Sequence, residues 1–246
     1  MILTAVSFVL LPKLPALHTW EVEAREERIA EEEFAQSQVT MQNLKIKEQN
    51  EAAGAKGELS IRLPEGVTGD QIAVSSDCVT QTIRVEIPQA DRTYFDSYPV
   101  LGNSDYIDGL SYTRQGETGV IEVTTNRVYE LQTEYDTQNF YFNFLTPHEV
   151  YDKVVVIDAG HGGRAVGANK QGINEKDIDL AIVLKLKEIF DNSDQNIGVY
   201  YTRTDDSNPT FDQRVQLANK SDADLFISIH NNSTRSGRMS GTSGTQ

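Results

Sequence analysis

The stretch "VVVIDAGHGG", residues 154–163, decides the fold of the second half of this chain. It begins with a continuous apolar run of the kind that forms a strand buried on both faces of a parallel sheet. The run ends in an aspartate, a histidine and three glycines, although the whole chain holds only four histidines. The sequence therefore predicts a buried strand that leads into a glycine-rich loop carrying His161.

The residues that follow this loop alternate between helical and strand patterns. The segment "NEKDIDLAIVLKLKEIF" is predicted to be a helix with one apolar stripe. "IGVYYTR" and "DLFISIHNN" are predicted to be strands, and "NPTFDQRVQLANK" a second helix with Phe211 facing inward. This alternation predicts a mostly parallel sheet covered by helices over residues 153–246. The members of the first helix's stripe are Ile178, Ile182, Leu186 and Ile189.

Three segments precede this α/β half. Residues 1–19 open with an apolar run too short to span a bilayer, which we interpret as the remnant of an export signal or membrane anchor, with a buried apolar N-terminus as the alternative. Residues 20–57 are rich in glutamate and good helix formers, and are predicted to form an acidic helical spacer with solvated charges. Residues 58–147 contain short alternating β-branched and aromatic runs between turn signals, which predicts a small all-β, sandwich-like accessory domain.

Composition argues against a nucleic-acid-binding site and against sites built from cysteine. A formal net charge of −15 argues against nucleic acid as a partner, because binding a phosphate backbone requires clustered lysine and arginine. The single cysteine, Cys78, cannot form an intrachain disulfide or a thiolate zinc cluster. Any bound metal must therefore be held by histidine and carboxylate side chains.

Three candidate metal ligands are expected to meet at one edge of the predicted sheet. His161 follows the first strand, His230 ends the third strand, and Glu175 opens the helix that must begin at the same edge. Two imidazoles and one carboxylate with an open fourth position are the usual ligand set of a catalytic zinc ion. Each residue also has an ordinary interpretation, since the helix dipole favours a glutamate in a first turn and loop histidines often only form hydrogen bonds.

Three other polar residues lie near the same edge in the sequence pattern. Asp158 is expected either to orient one of the imidazoles or to cap the loop. Arg203 and Arg214 are candidates for binding an anionic group of a substrate, although a structural salt bridge is the favoured interpretation of both.

The motifs of this half resemble the zinc-dependent N-acetylmuramoyl-L-alanine amidases, which are peptidoglycan hydrolases. The similar stretches are "VVVIDAGHGGRAVGANKQGINEKDIDL", "YYTRTDDSNPTFDQRVQLANKSDADLFISIHNN" and the terminal "SGTSGTQ". The resemblance implies that His161, Glu175 and His230 bind Zn²⁺. It also implies that the substrate is the amide between the lactyl group of N-acetylmuramic acid and L-alanine, cleaved outside the cell membrane or in the cell envelope.

The resemblance raises one further expectation, which concerns the general base. In the family this role belongs to a glutamate near the C-terminal end of the domain, and no matching glutamate precedes Gln246. We therefore expect an incomplete catalytic domain that binds zinc but hydrolyses peptidoglycan poorly. Two alternatives stay open: a wall-binding or regulatory protein with a degenerate amidase domain, and a zinc carboxypeptidase, which needs an arginine for the substrate carboxylate.

Overall fold

The computed structural model describes residues 15–37, 41–48 and 56–231. The apolar run at the N-terminus and the terminal "SGTSGTQ" lie outside these residues. The chain divides into two compact units, one of residues 1–38 with 153–246 and the other of residues 39–152. The architecture is mixed α/β with several sheets, as the sequence predicts. No helix in the described ranges is both long and apolar enough to span a membrane.

The unit of residues 39–152 consists of two five-stranded sheets. In strand order, the first sheet contains β1 (Gln42–Asn43), β7 (Ile107–Gln115), β8 (Thr118–Thr125), β5 (Thr82–Pro88) and β4 (Ala73–Asp77). The second contains β2 (Lys47–Glu48), β6 (Leu101–Gly102), β3 (Leu59–Arg62), β10 (Asn139–Leu145) and β9 (Glu130–Tyr135). The described residues of the unit also form two short helices, α2 (Arg92–Ser97) and α3 (Pro147–Val150), and a 3-10 turn at Gly69–Gln71.

An apolar core joins the two sheets of this unit. Alternate residues of β5 and of β10 are buried, as expected for strands with one face in a core, and both strands contribute to the same apolar cluster. The unit begins earlier than the sequence predicts, because β1 and β2 lie within residues 20–57, the segment expected to be a spacer. Leu44 and Ile46 of that segment pack against the core.

The described part of the other unit is built around three parallel strands. β11 (Lys153–Ala159) lies between β14 (Ile197–Tyr201) and β15 (Leu225–Ile229) and pairs with both in parallel. Where the structure describes this unit, its helices are α1 (Pro15–Ser37), α4 (Glu175–Asp191) and α5 (Phe211–Lys220). A small antiparallel hairpin is formed by β12 (Asn169–Lys170) and β13 (Ile173–Asn174).

The register of these strands brings two loops together. Ala159, the last residue of β11, pairs with Ile229, the last residue of β15. Because parallel strands end at the same edge of a sheet, the loops that carry His161 and His230 leave the sheet side by side. Helix α4 begins at this edge, after the β12–β13 hairpin, and its first residue is Glu175.

Three of the four residues in the apolar stripe predicted on α4 are not on the buried face of the helix. Ile178 and Ile182 are each 38% exposed and Ile189 is 65% exposed. The buried face of α4 carries Glu175, Asp179 and Val183 instead, at a spacing of four residues. The helix is thus rotated so that its first carboxylate points to the loop edge of the sheet, and the isoleucines turn outward.

The predicted inward orientation of Phe211 is also wrong, since this residue is 67% exposed at the start of α5. The buried positions of α5 are Arg214 and Leu217, which are three residues apart and so share one face of the helix. Burial of Arg214 in place of Phe211 follows from the hydrogen bonds that its guanidinium forms beneath the His161 loop.

Helix α1 differs from the solvated spacer that its composition predicts. It belongs to the same compact unit as residues 153–246, and Ala30 on it is buried. Several of its glutamates accept hydrogen bonds from the loops at the carboxyl edge of the sheet rather than facing only water. A glutamate-rich helix can therefore be a docked element when basic and backbone N–H groups meet it.

Candidate metal centre

The three candidate ligands predicted from the sequence come together in the structure. Nε2 of His161 lies 3.2 Å from Oε1 of Glu175 and 3.1 Å from Nδ1 of His230. Nδ1 of His230 lies 3.4 Å from the same Glu175 oxygen. Ligands placed 2.0–2.1 Å from a tetrahedral zinc ion are about 3.3 Å from one another, so this triangle of donor atoms has the size that zinc requires.

The loop after β11 places His161 by means of an unusual backbone. His161 has a φ of 60°, in the left-handed region that a non-glycine residue rarely adopts, and it is followed by Gly162 at 140° and Gly163 at 50°. Glycine is also required at 160, because a side chain there would overlap the imidazole of His230. The glycines of the motif therefore serve both the turn and the close approach of the two imidazoles.

Two backbone N–H groups hold the carboxylate of Glu175. Its Oε2 accepts a hydrogen bond of 2.8 Å from the N–H of Ala168, and its Oε1 accepts one of 2.8 Å from the N–H of Asn231. Burial by itself would raise the pKa of Glu175, but the hydrogen bonds from His161 and His230 outweigh it and hold that pKa far below its ordinary value. The carboxylate is therefore ionised and oriented toward the imidazoles.

The charge balance of the cluster favours a cation. Burial by itself would lower the pKa of His161, but the carboxylates of Glu175 and Glu26 raise it to about 9. The hydrogen-bonded carboxylates thus favour the protonated form of the His161 imidazole. Since histidine binds a metal through a deprotonated nitrogen, a metal ion must displace that proton.

Two buried arginines support the backbone of the His161 loop. Arg203 donates to the carbonyls of Ala159 and Gly160 at 2.9 and 2.7 Å. Arg214 donates to the carbonyls of Ala159 and His161 at 2.7 and 2.8 Å. The predicted structural salt bridge is confirmed for Arg214, which pairs with Asp158, whereas Arg203 donates to backbone carbonyls instead. Neither guanidinium is free to meet a substrate anion.

Asp158 does not orient an imidazole, which was one of its two predicted roles. Its Oδ1 accepts hydrogen bonds of 2.6 Å from Arg214 and from the hydroxyl of Thr202, and its Oδ2 accepts one of 2.6 Å from Ser228. Burial opposes ionisation of this carboxyl, but Arg214 and the two hydroxyls outweigh that effect and lower its pKa. Asp158 thus anchors the arginine that supports the loop.

Sequence reasoning missed Asp179, which lies one turn after Glu175 on α4. It is fully buried, and one of its oxygens lies within 4.8 Å of the donor atoms of the three candidate ligands. Oδ1 accepts a hydrogen bond of 2.6 Å from the side chain of Asn231, while Oδ2 has no hydrogen-bond partner among the described residues. Burial raises its pKa to about 6. The four-residue spacing from Glu175 was the only sequence signal for it.

Sequence reasoning also missed Glu26, which comes from helix α1. Its Oε2 lies 3.0 Å from Nδ1 of His161, the ring nitrogen that faces away from the donor triangle. The two residues are 135 positions apart. Because α1 is a run of glutamates, no local pattern distinguishes Glu26 from its neighbours.

Comparison with known proteins identifies the segment that contains this cluster. The family described as N-acetylmuramoyl-L-alanine amidase matches residues 155–245. This part of the chain, which we call the amidase segment, is similar to that family. All three candidate ligands lie within the amidase segment, whereas helix α1 and the β-sheet unit lie outside it.

Individual relatives match the same part of the chain. The endolysin of Bacillus phage SPP1 is 45% identical over 86 residues, which are 35% of this chain and 31% of the relative. The N-acetylmuramoyl-L-alanine amidase CwlM of Bacillus licheniformis is 41% identical over 78 residues, which are 32% of this chain and 31% of the relative. The chain therefore spans about a third of the length of these curated relatives.

A solved structure matches the amidase segment as well. The catalytic domain of CwlV, an N-acetylmuramoyl-L-alanine amidase from Bacillus (Paenibacillus) polymyxa var. colistinus, is 41% identical. The match covers 34% of this chain and 47% of that chain, with a TM-score of 0.33.

Proposed function

We propose that this chain is a zinc-dependent hydrolase of peptidoglycan that cleaves the amide bond between N-acetylmuramic acid and L-alanine. The observation that carries the proposal is the donor triangle of His161, Glu175 and His230 inside a segment of the amidase family. Two imidazoles and one carboxylate with an open fourth position suit a catalytic rather than a structural zinc ion. The carboxylates of Glu175 and Glu26 supply the negative charge that such an ion would balance.

Each side chain of the cluster has a role that its contacts support. His161 and His230 would bind Zn²⁺ through Nε2 and Nδ1, and Glu175 through Oε1. The chemistry supplied by a bound zinc ion is Lewis-acid polarisation of a carbonyl oxygen and activation of water near neutral pH. Asn231 fixes Glu175 through its backbone and Asp179 through its side chain, so it couples the two carboxylates of α4.

The rest of the chain fits an envelope enzyme with an accessory unit. We propose that the unit of residues 39–152 localises or regulates the amidase segment, because its residues form a core and sheets but no histidine-carboxylate cluster among those described. Peptidoglycan lies outside the cell membrane, so the proposal requires an exported chain. The partner is a wall polymer and not nucleic acid, in agreement with the net charge of −15.

The arrangement of the arginines separates this proposal from a zinc carboxypeptidase. A carboxypeptidase needs a cationic group for the free carboxylate of its substrate. Arg203 and Arg214, the two arginines that the sequence offers for this purpose, are buried and donate to backbone carbonyls. Their contacts therefore do not favour a carboxypeptidase.

The test is product analysis on purified peptidoglycan with the 246-residue chain and added zinc. An amidase frees new L-alanine amino termini, which can be labelled and identified, and the stem peptide is released intact. The His161→Ala variant and a chelator-treated sample serve as controls. Release of free C-terminal amino acids would replace the proposal with a carboxypeptidase, and wall binding by a chain that takes up no zinc would replace it with a non-catalytic role.

A further inference from the structure

His161 is contacted on both of its ring nitrogens, and the two contacts come from different parts of the chain. Nε2 faces the donor triangle with Glu175 and His230. Nδ1 lies 3.0 Å from Oε2 of Glu26, and both side chains are largely buried. The ring orientation is therefore defined from outside the triangle by a carboxylate.

We propose that Glu26 is a positioning residue of the metal centre, whose carboxylate accepts the Nδ1 hydrogen of His161 and so presents Nε2 to the zinc ion. The inference rests on the proposed function through the role of His161 as a ligand. A metal-bound histidine usually donates its second ring N–H to a carboxylate, carbonyl or water, which fixes the tautomer and strengthens the nitrogen as a donor. Here that carboxylate lies outside the segment that matches the amidase family.

Glu26 can act in this way because helix α1 is held in place by other residues. Glu33, two turns later on the same face, accepts hydrogen bonds of 3.0 Å from the backbone and the side chain of Arg164 and one of 3.1 Å from Asn208. Ala30, between the two glutamates, is buried. The positions 26, 30 and 33 follow the spacing of one helix face. Glu26 therefore lies on a helix that other contacts hold in place.

A second contact holds helix α1 against the start of helix α5. Oε2 of Glu27 accepts a hydrogen bond of 2.7 Å from the backbone N–H of Phe211 at the start of α5. A carboxylate in this position also interacts favourably with the N-terminal end of the helix dipole. Gly163 permits the close approach of α1, since a side chain at that position would overlap the carboxylate of Glu33.

The experiment measures zinc affinity in the 246-residue chain by competition with a chromophoric chelator. We compare the wild type with Glu26→Ala, Glu31→Ala and Glu33→Ala. Alanine preserves the helix in each case. Glu31 is exposed on the same helix and provides the matched control, while Glu33→Ala weakens docking without removing the partner of His161.

We expect Glu26→Ala to weaken zinc binding by about 10- to 100-fold, which is the usual effect of losing the partner of a metal-bound histidine. Glu31→Ala should bind as the wild type does, and Glu33→Ala should lose less affinity than Glu26→Ala. Glu26→Gln, which retains an accepting oxygen without the charge, should fall between the wild type and Glu26→Ala. Circular dichroism of the zinc-free proteins confirms that each variant is folded.

Two results would overturn the positioning role while leaving the proposed function intact. One is a zinc affinity of Glu26→Ala equal to that of Glu31→Ala. The other is an equal loss in Glu26→Ala and Glu33→Ala, which would show that docking of α1, and not the His161 contact, supports the site. Absence of zinc binding by the wild type would overturn both the positioning role and the proposed function, so the failures are distinguishable.

Discussion

Nη1 of Arg214 lies 2.6 Å from Oδ1 of Asp158, and both side chains are buried beneath the loop that carries His161. The same guanidinium donates to the carbonyl of His161 at 2.8 Å. One ion pair therefore connects the end of strand β11, helix α5 and the backbone of a candidate metal ligand. The left-handed conformation of His161 is maintained by this support.

The first prediction concerns the stability of this ion pair. Asp158→Asn leaves the Arg214 charge buried without its counter-charge, and breaking a buried pair in this way typically costs about 3–5 kcal/mol. We expect a loss of that size in the free energy of unfolding of the unit, measured by denaturant titration at neutral pH. Asp194→Asn, at an exposed position of the same unit, is the matched control and should change the free energy little. Equal stabilities of the two variants would contradict the prediction.

The second prediction concerns the pH dependence that follows from the lowered pKa of Asp158. A carboxyl whose pKa is lower in the folded than in the unfolded state stabilises the fold above its unfolded pKa of about 3.9. This contribution is lost as the pH falls through the folded pKa, where the carboxyl gains its proton. The difference in unfolding free energy between wild type and Asp158→Asn should therefore be constant near neutral pH and shrink in acid. A difference that grows in acid would contradict the sign of the shift.

The third prediction concerns the candidate ligands. His161→Ala or His230→Ala should remove most of the bound zinc, with a loss of affinity larger than the ~10–100-fold that removal of an outer partner costs. Elemental analysis of dialysed protein and chelator competition measure the effect. His148→Ala, which changes a histidine in the other unit, is the control and should keep the wild-type zinc content. Near-stoichiometric zinc in both ligand variants would refute the assignment.

The sequence was sufficient to predict the donor triangle because local patterns specify it. An apolar run that ends in "DAGHGG" predicts a buried strand and a loop, and parallel strands end at a common edge. The positions of His161, Glu175 and His230 relative to these element ends then bring the three side chains together. That step requires the parallel pairing of β11 and β15 but no detail of side-chain packing.

The surroundings of the triangle could not be predicted, because tertiary packing decides them. The stripe of isoleucines on α4 has a helical period, yet the helix is rotated to bury Glu175 and Asp179. Glu26 is one of several glutamates on a helix of solvated composition, and its role depends on a contact across 135 positions. Periodicity gives the faces of a helix but not the partner that each face meets.

The fourth prediction concerns Asp179, which shares the buried face of α4 with Glu175. Its side chain accepts a hydrogen bond from Asn231, and the donor triangle is complete without it. We therefore expect Asp179→Asn to keep the zinc affinity within about threefold of the wild type, far less than the ~10–100-fold loss that marks a residue supporting a metal ligand. A loss of a hundredfold or more would show that Asp179 belongs to the ligand set.

The fifth prediction concerns the unit of residues 39–152. Its core draws on strands of both sheets, so the isolated fragment should unfold in one cooperative transition, measured by denaturant titration with two spectroscopic probes. A fragment that starts at residue 58 lacks strands β1 and β2 and the contacts of Leu44 and Ile46 with the core, and should be less stable.

Phe142→Ala in the longer fragment should lower the free energy of unfolding by about 3–5 kcal/mol, because Phe142 is fully buried. Tyr135→Ala, which changes an exposed aromatic residue of the same sheet, should cost much less. A broad, probe-dependent transition of the longer fragment, or equal stability of the two fragments, would show that the boundary at residue 39 is wrong.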